Sequence, residues 1–319
     1  MNIQQNRLVL FLLALVLILV SSLSLFIGPK GWSVAYEPAL FDYRLNRIIL
    51  AIIAGSSLAA SGASLQSIFR NPLADPHIFG ISGGAALGAC LMIAFEIDFW
   101  FSPSFGAIIG GLIAFLLIFY YLYRSPFESL SGCLLVGILI NSIAAAIISL
   151  VKVLSPAHKT YSLLYWLIGH INAVENNKLL LIIIIWLIGL IILLAIRHEL
   201  EILSFGQVES RIIGLNYKLI IRLAVLANCL LIGNTVAFAG MIGFIGLVIP
   251  NLLRLIIFPD LRIILPIASF FGAITLVFFD SLSRLSFLFF ATELPVGVLT
   301  ALFLSPVLFY ITIGSKYEL

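Results

Sequence analysis

Gln66-Ser67-Ile68-Phe69-Arg70-Asn71-Pro72-Leu73-Ala74-Asp75-Pro76-His77-Ile78-Phe79-Gly80-Ile81-Ser82-Gly83-Gly84 sets the most polar, helix-breaking residues of the N-terminal half between two long apolar runs. Its chemistry is that of a turn. Pro72 and Pro76 each lack an N–H and push Asn71 and Asp75 out of the helical region, while Gly80, Gly83 and Gly84 let the next helix begin close against a neighbour. The preceding residues, Ala54 to Ser64, are nearly all small. In a membrane helix, small residues mean backbones in contact rather than a lipid-facing surface, so this helix pair is expected in the interior.

Composition confirms the solvent in which the turn has to be read. Hydrophobic side chains make up 62% of the 319 residues and charged ones 10%, against about 25% charged in an ordinary soluble domain. The mean hydropathy is +1.22. This is a polytopic membrane protein. A net charge of +3 with no run of like charges gives no footprint for nucleic acid. Cys90, Cys133 and Cys229 are odd in number, lie in apolar stretches and have no CxxC spacing, so they read as small packing residues.

A membrane helix needs about 20 apolar residues. Ten such runs are separated by Pro, Gly or charge, near 8–28, 47–69, 78–97, 104–123, 129–151, 179–197, 218–238, 244–258, 263–284 and 297–314. Arg7 before the first run is reminiscent of a signal peptide, but no small-x-small cleavage site follows Ser24, and an uncleaved span is expected. The eighth is short and broken by Pro250, which suggests a half-helix with a re-entrant segment. With the N-terminus inside, ten of the seventeen Lys and Arg residues fall at cytoplasmic ends. Arg44, Arg47 and Arg284 fall at outer ends, against that bias. Asp280 precedes Arg284 by four residues, the order that favours a helix pair.

Residues 199–217 form the longest mixed polar stretch and are too polar to span. Apolar positions 208, 212, 213 and 215 around Glu209, Ser210 and Arg211 predict a short amphipathic helix, with Gly214-x-Asn216 as its C-cap. Such a helix has no membrane face of its own, so Ile212 and Leu215 call for a protein partner.

No G-x-x-x-x-G-K-[ST] is present to hold ATP phosphates, and no G-x-S-x-G elbow occurs. His198-Glu199 begins like a zinc-protease helix, but position 202 is Ile, and His77, His158 and His170 stand far apart in sequence. No catalytic and no metal-ligating residue is therefore assigned. Asp280 is the main acidic residue within the spans, and it lies near a helix end, whereas an ion-coupled carrier needs such a group near the midplane. A stand-alone secondary transporter and an intramembrane enzyme remain the alternative readings.

Two blocks carry a resemblance. The first runs from Arg44-x-x-Arg47 through Gly55-x-x-Leu58-Ala59-x-Ser61-Gly62, Gln66 and Arg70-Asn71-Pro72-Leu73-Ala74-x-Pro76 to Gly80-x-Ser82-Gly83. The second comprises Gly233, Ala237-Phe238, Gly240, Ile242-Gly243-Phe244-Ile245-Gly246-Leu247-Val248-x-Pro250, Arg254, Pro266, Gly272-Ala273, Asp280, Arg284 and Glu293-Leu294-Pro295-Val296-Gly297. Together they resemble the FecCD family of ABC importer permeases. The chain departs from that pattern at Asn46, where the family has Pro; at Asn251, where it commonly has His; and at Leu304-Ser305-Pro306, where it has Gly-x-Pro.

The resemblance implies an all-α fold of the type II importer permease with about ten transmembrane helices, some broken or half-length, in one domain over 1–319. It implies a coupling helix near 204–216 that meets the ATPase through Ser204, Val208, Arg211, Ile212, Gly214 and Leu215. It implies a gate at Asn71, Leu73, Asn141 and Ser142, and a docking patch for acidic residues of a binding protein at Arg44, Arg47 and Arg284. The implied partners are a second permease, identical or related, two ATP-binding subunits carrying ATP and Mg, a periplasmic or lipoprotein binding protein, and membrane lipid. No cofactor is expected on this chain itself. A ferric siderophore is the substrate expected on family frequency, with haem or vitamin B12 as the alternative, in the bacterial inner membrane with both termini cytoplasmic.

Overall fold

The computed structural model describes residues 3–28, 31–32, 38–97, 102–124, 130–257 and 260–314. The expected cytoplasmic termini at 1–2 and 315–319 lie outside the described residues. The chain is all-α, with one two-residue hairpin pairing Ile27 with Trp32 and Gly28 with Gly31. In order the helices are α1 (Ile3–Leu25), α2 (Pro38–Phe69), α3 (Ile81–Ala94), α4 (Ser102–Arg124), α5 (Leu130–Leu154), α6 (Ala157–Leu167) and α7 (Asn176–Ala195). Then follow α8 (Arg197–Phe205), α9 (Gln207–Ile212), α10 (Tyr217–Ala239), α11 (Ile245–Ile256), α12 (Leu261–Leu285), α13 (Phe287–Phe290) and α14 (Val296–Gly314).

Seven of these are long and apolar enough to cross a membrane, and α3, α11 and α14 are shorter apolar helices. Each of the ten apolar runs in the sequence has its helix. The molecule is organised around α2, which is buried from Asn46 to Ile68 except at Ile49 and Ile52, whereas α1, α5 and α7 turn most of their apolar surface outward. Exposed Leu, Ile and Phe side chains along those helices fit a bilayer, where burial from water comes from lipid rather than from protein.

Glycine explains how α2 can be so enclosed. A Cβ at Gly55 would lie 2.2 Å from the Gly272 carbonyl oxygen on α12, and one at Gly62 would lie 1.9 Å from that of Gly246 on α11. The helices touch backbone to backbone at both points, the arrangement that small residues permit in membranes. The same device joins α3 to α4 through Gly88 and Gly106.

Two expectations need correction. The second span was expected from residue 47, but α2 begins at Pro38 and carries Arg44, Asn46 and Arg47 inside the helix, because each finds a partner elsewhere in the fold. The eighth run is short as expected, twelve residues in α11, but Pro250 does not break it. The helix begins only after Phe244, whose backbone is left-handed at φ 71°, and Pro250 lies within α11. Proline removes one helical hydrogen bond, and here the carbonyl so freed, that of Gly246, is met by the Gln66 amide at 3.2 Å.

Candidate functional site

Polar chemistry concentrates at the two ends of α2. Arg47 and Gln66 are nineteen positions apart, about 28 Å along a helix rising 1.5 Å per residue.

At the Arg47 end, the Arg47 guanidinium donates Nε–H to Asp280 Oδ1 at 2.7 Å and its NH1 to Glu293 Oε2 at 2.8 Å. Arg284 lies 3.2 Å from the other Asp280 oxygen and donates to the backbone oxygens of Ser24 and Ile27 at 3.0 and 2.8 Å. It also bonds Ser24 Oγ. Arg44 reaches the Leu25 carbonyl at 2.8 Å. The pairing expected between Asp280 and Arg284 is thus present, but Arg47 shares it. Asp280 is fully buried, and Arg44, Arg47 and Arg284 are 8%, 3% and 2% exposed. In this chain the three guanidinium groups expected as a docking patch are buried and face inward onto carboxylates and carbonyls. Unpaired charge inside a membrane protein is costly, and Asp280 and Glu293 are the compensation.

Asn46 belongs to the same end. Its amide donates to the Val174 carbonyl at 2.8 Å and its oxygen accepts the Val174 N–H at 3.0 Å, a two-way clasp between α2 and the segment before α7. A proline at position 46 has no side-chain amide with which to make either bond.

At the Gln66 end, the turn is closed by Asn71, whose carboxamide oxygen accepts the Leu73 N–H at 2.9 Å, and by Asp75, which accepts the His77 N–H at 2.7 Å. His77 Nε2 is 2.7 Å from the Ile242 oxygen. Asn71 and Leu73 are exposed, as is Ser142. Asn141 is half-buried, and its amide donates to the His77 carbonyl at 2.8 Å, so the structure brings the turn and α5 together through this one side chain of the four.

The polar stretch 199–217 forms α8 and α9 with Gly206 between them at φ 138°. Leu200 and Leu203 are buried, and the fully buried Ser210 donates to the Ile202 carbonyl at 3.2 Å, which fixes α9 on α8. Ser204 caps inward on the Glu201 carbonyl at 2.6 Å. Ile212 and Ile213 stand 80% and 66% exposed, and Leu215 packs against the core. The side chains of Val208 and Arg211 lie outside the described residues. Gly214 takes a left-handed φ of 86°, while Asn216 serves the next helix instead, accepting the Leu219 N–H at the start of α10. Glu201 accepts the Leu261 N–H at 2.7 Å, and burial pushes its carboxyl above the ordinary range against that hydrogen bond.

Sequence reasoning assigned no role to Gln66, Asn46, Arg254 or Glu293, although all but Asn46 stand within quoted motifs. The visible signal was their polarity inside apolar stretches, which in a membrane protein has to be satisfied by a partner. Among the described residues no group of three or more His, Cys, Asp and Glu side chains is placed to hold a metal ion.

Among the described residues, seven long and three shorter apolar helices around a small-residue core, with a buried charge cluster at one end and a polar helical segment between two of the helices, define a multi-pass membrane protein. The chain belongs to the FecCD transport family, whose model matches residues 8–314, and is an ABC importer permease. It is 35% identical over 324 residues to the vitamin B12 import system permease protein BtuC of Salmonella typhi, covering 98% of this chain and 97% of that protein. It is 33% identical over 329 residues to the hemin transport system permease protein HmuU of Yersinia pestis, covering 98% of each. A solved structure described as an inward-facing conformation of a metal-chelate type ABC transporter matches 98% of this chain and 100% of its own, with a TM-score of 0.86 and 31% identity.

Proposed function

We propose that this permease imports a bulky metal chelate, a corrinoid or haem ahead of the ferric siderophore expected from family frequency. The observation that carries this reading is full-length similarity to permeases named for vitamin B12 and hemin. In this reading the chain works in the bacterial inner membrane, both termini in the cytoplasm, paired with a second permease and two ATPase subunits that bind ATP and Mg. A binding protein delivers the substrate at the Arg47 end. The turn with Asn71 and Leu73, and α5 with Asn141 and Ser142, gate the Gln66 end. Docking at the Arg47 end uses surfaces around the charge cluster, and the arginines hold that end in shape from within.

The test is uptake into vesicles containing the permease with its ATPase and binding protein, offered cyanocobalamin, haem or a ferric siderophore separately. ATP-dependent accumulation of the corrinoid or haem is expected. Accumulation driven by a proton or sodium gradient without ATP would establish the secondary-carrier alternative, and ATP-dependent uptake of the siderophore alone would return the substrate to the sequence-based expectation.

A second expected result concerns α9. Ile212 and Ile213 offer exposed apolar area on a segment that does not span, so in this reading they fill a groove on the ATPase, and the coupling contact also takes in Ser204, Val208, Arg211, Gly214 and Leu215. Ile212→Asp removes about 1.5–3 kcal/mol of apolar burial and adds a charge, so ATPase affinity should fall roughly 10- to 100-fold. Co-purification of the ATPase with membrane-inserted permease measures this. Unchanged yield of the complex would remove Ile212 from the contact.

A further inference from the structure

We propose, on the basis of the importer reading above, that Gln66, Asn251 and Arg254 form the joint through which movement of the α8–α9 segment reaches the turn at 70–80 and α5. They are positioning residues and touch no substrate.

The network originates at Pro250. Its missing N–H leaves the Gly246 carbonyl without a helical donor, and the Gln66 amide supplies one at 3.2 Å while also donating to the Leu247 carbonyl at 3.2 Å. The Gln66 oxygen accepts from Arg254, so both donors and the acceptor of a side chain only 3% exposed are committed to α11. Arg254 also donates to Asn251 Oδ1 at 3.2 Å. Asn251 in turn donates to the Pro72 carbonyl at 2.7 Å and to the Leu247 carbonyl at 2.8 Å. One network thus fastens the end of α2, the middle of α11 and the first residues of the turn.

Both flanks of this network are bonded directly to moving parts of the importer reading. Ser67, next to Gln66, donates to the Leu200 carbonyl of α8 at 3.2 Å, and Ser210 fixes α9 on α8. On the far side, Asn141 of α5 holds the His77 carbonyl at 2.8 Å. Between α9 and α5, each passage from one segment to the next is made by a side-chain hydrogen bond, and within each segment the backbone carries it on. The contact of Gly62 with Gly246 holds α2 against α11 without help from the Gln66 amide, so removing that amide leaves the helices packed. What it removes is the constraint that makes α11 and the turn follow α2.

The experiment uses the full transporter with its binding protein in vesicles and reads ATP hydrolysed per substrate accumulated, for native protein, Gln66→Leu and Arg254→Gln. At least about a tenfold rise in that ratio is expected for Gln66→Leu, within the usual range of coupling energies, with ATP hydrolysis in the absence of binding protein kept within about twofold. Arg254→Gln, at the less buried edge of the network, should shift the ratio in the same direction, and it decides the matter if Gln66→Leu does not assemble. An unchanged ratio, or a parallel loss of hydrolysis and uptake in both variants, overturns the joint and leaves these residues as packing. Native protein that accumulates nothing with ATP overturns the importer reading instead, so the two failures are distinct.

Discussion

Gly62→Ala is expected to leave little protein that is both folded and monodisperse. The added Cβ would lie 1.9 Å from the Gly246 carbonyl oxygen and 2.5 and 2.7 Å from the carbon atoms behind it. All three are backbone atoms of α11, so no rotamer change relieves the contact, and the two helices have to separate. Overpacking in a core costs about 1–3 kcal/mol and occasionally more, and a clash of backbone with backbone belongs at the upper end. The separation would also pull Gln66, four residues beyond Gly62 on α2, from the carbonyls it serves. Gel filtration in detergent and the midpoint of thermal unfolding measure the effect. Gly243→Ala is the matched control, because a Cβ there meets nothing within 4 Å, and its midpoint should equal that of the native protein. If Gly62→Ala behaves like the control, close approach of α2 and α11 is not a requirement of the fold.

Asp280→Ala should destabilise the protein by about 3–5 kcal/mol, the range observed when one member of a buried ion pair is removed. Asp280 is the carboxylate between Arg47 and Arg284, and its loss leaves two guanidinium groups with Glu293 as the one remaining acid bonded to Arg47. Chemical denaturation or heat, read by tryptophan fluorescence, reports the loss. Two comparisons separate a charge effect from simple truncation. Glu175→Ala removes the exposed carboxylate of a pair with the half-buried Lys178 at 3.0 Å and should shift stability by no more than about 1 kcal/mol. Asp280→Leu combined with Arg284→Met removes both charges while keeping apolar volume, and should recover most of what Asp280→Ala loses. Recovery absent in the double variant would show that Asp280 acts through shape rather than charge.

The ten apolar helices could be read from the sequence because a membrane selects apolar composition directly, and a run of residues 179–197 declares itself without reference to any other part of the chain. The close packing of α2 was legible for a similar reason, since Gly55, Gly62 and their small neighbours are visible one by one. What resisted reading depends on distant residues. The start of α2 was placed nine residues late because Arg44, Asn46 and Arg47 look extramembranous until Leu25, Val174 and Asp280 are brought beside them. Pro250 signals a broken helix until Gln66, 180 residues before Gly246, covers the carbonyl freed there. The arginines were visible as charges, but whether they face outward or inward is a property of their partners. For α9 the amphipathic pattern was legible and the exposure of Ile212 follows it, whereas the inward turn of Leu215 depends on how α8 seats the segment.

The ion pair between Arg47 and Asp280 also has a consequence for how the chain is made. Its members are separated by 233 residues, so Arg47 leaves the ribosome long before its carboxylate exists. At synthesis rates of roughly 5–20 residues per second, that interval lasts on the order of 10–50 seconds. Glu293, the second acid on Arg47, comes later still. An arginine near a helix end costs least at the bilayer surface, where its long stem reaches water. The nascent α2 therefore waits with its Arg47 end at the interface or sheltered by insertion machinery, and it takes its final depth only when α12 arrives.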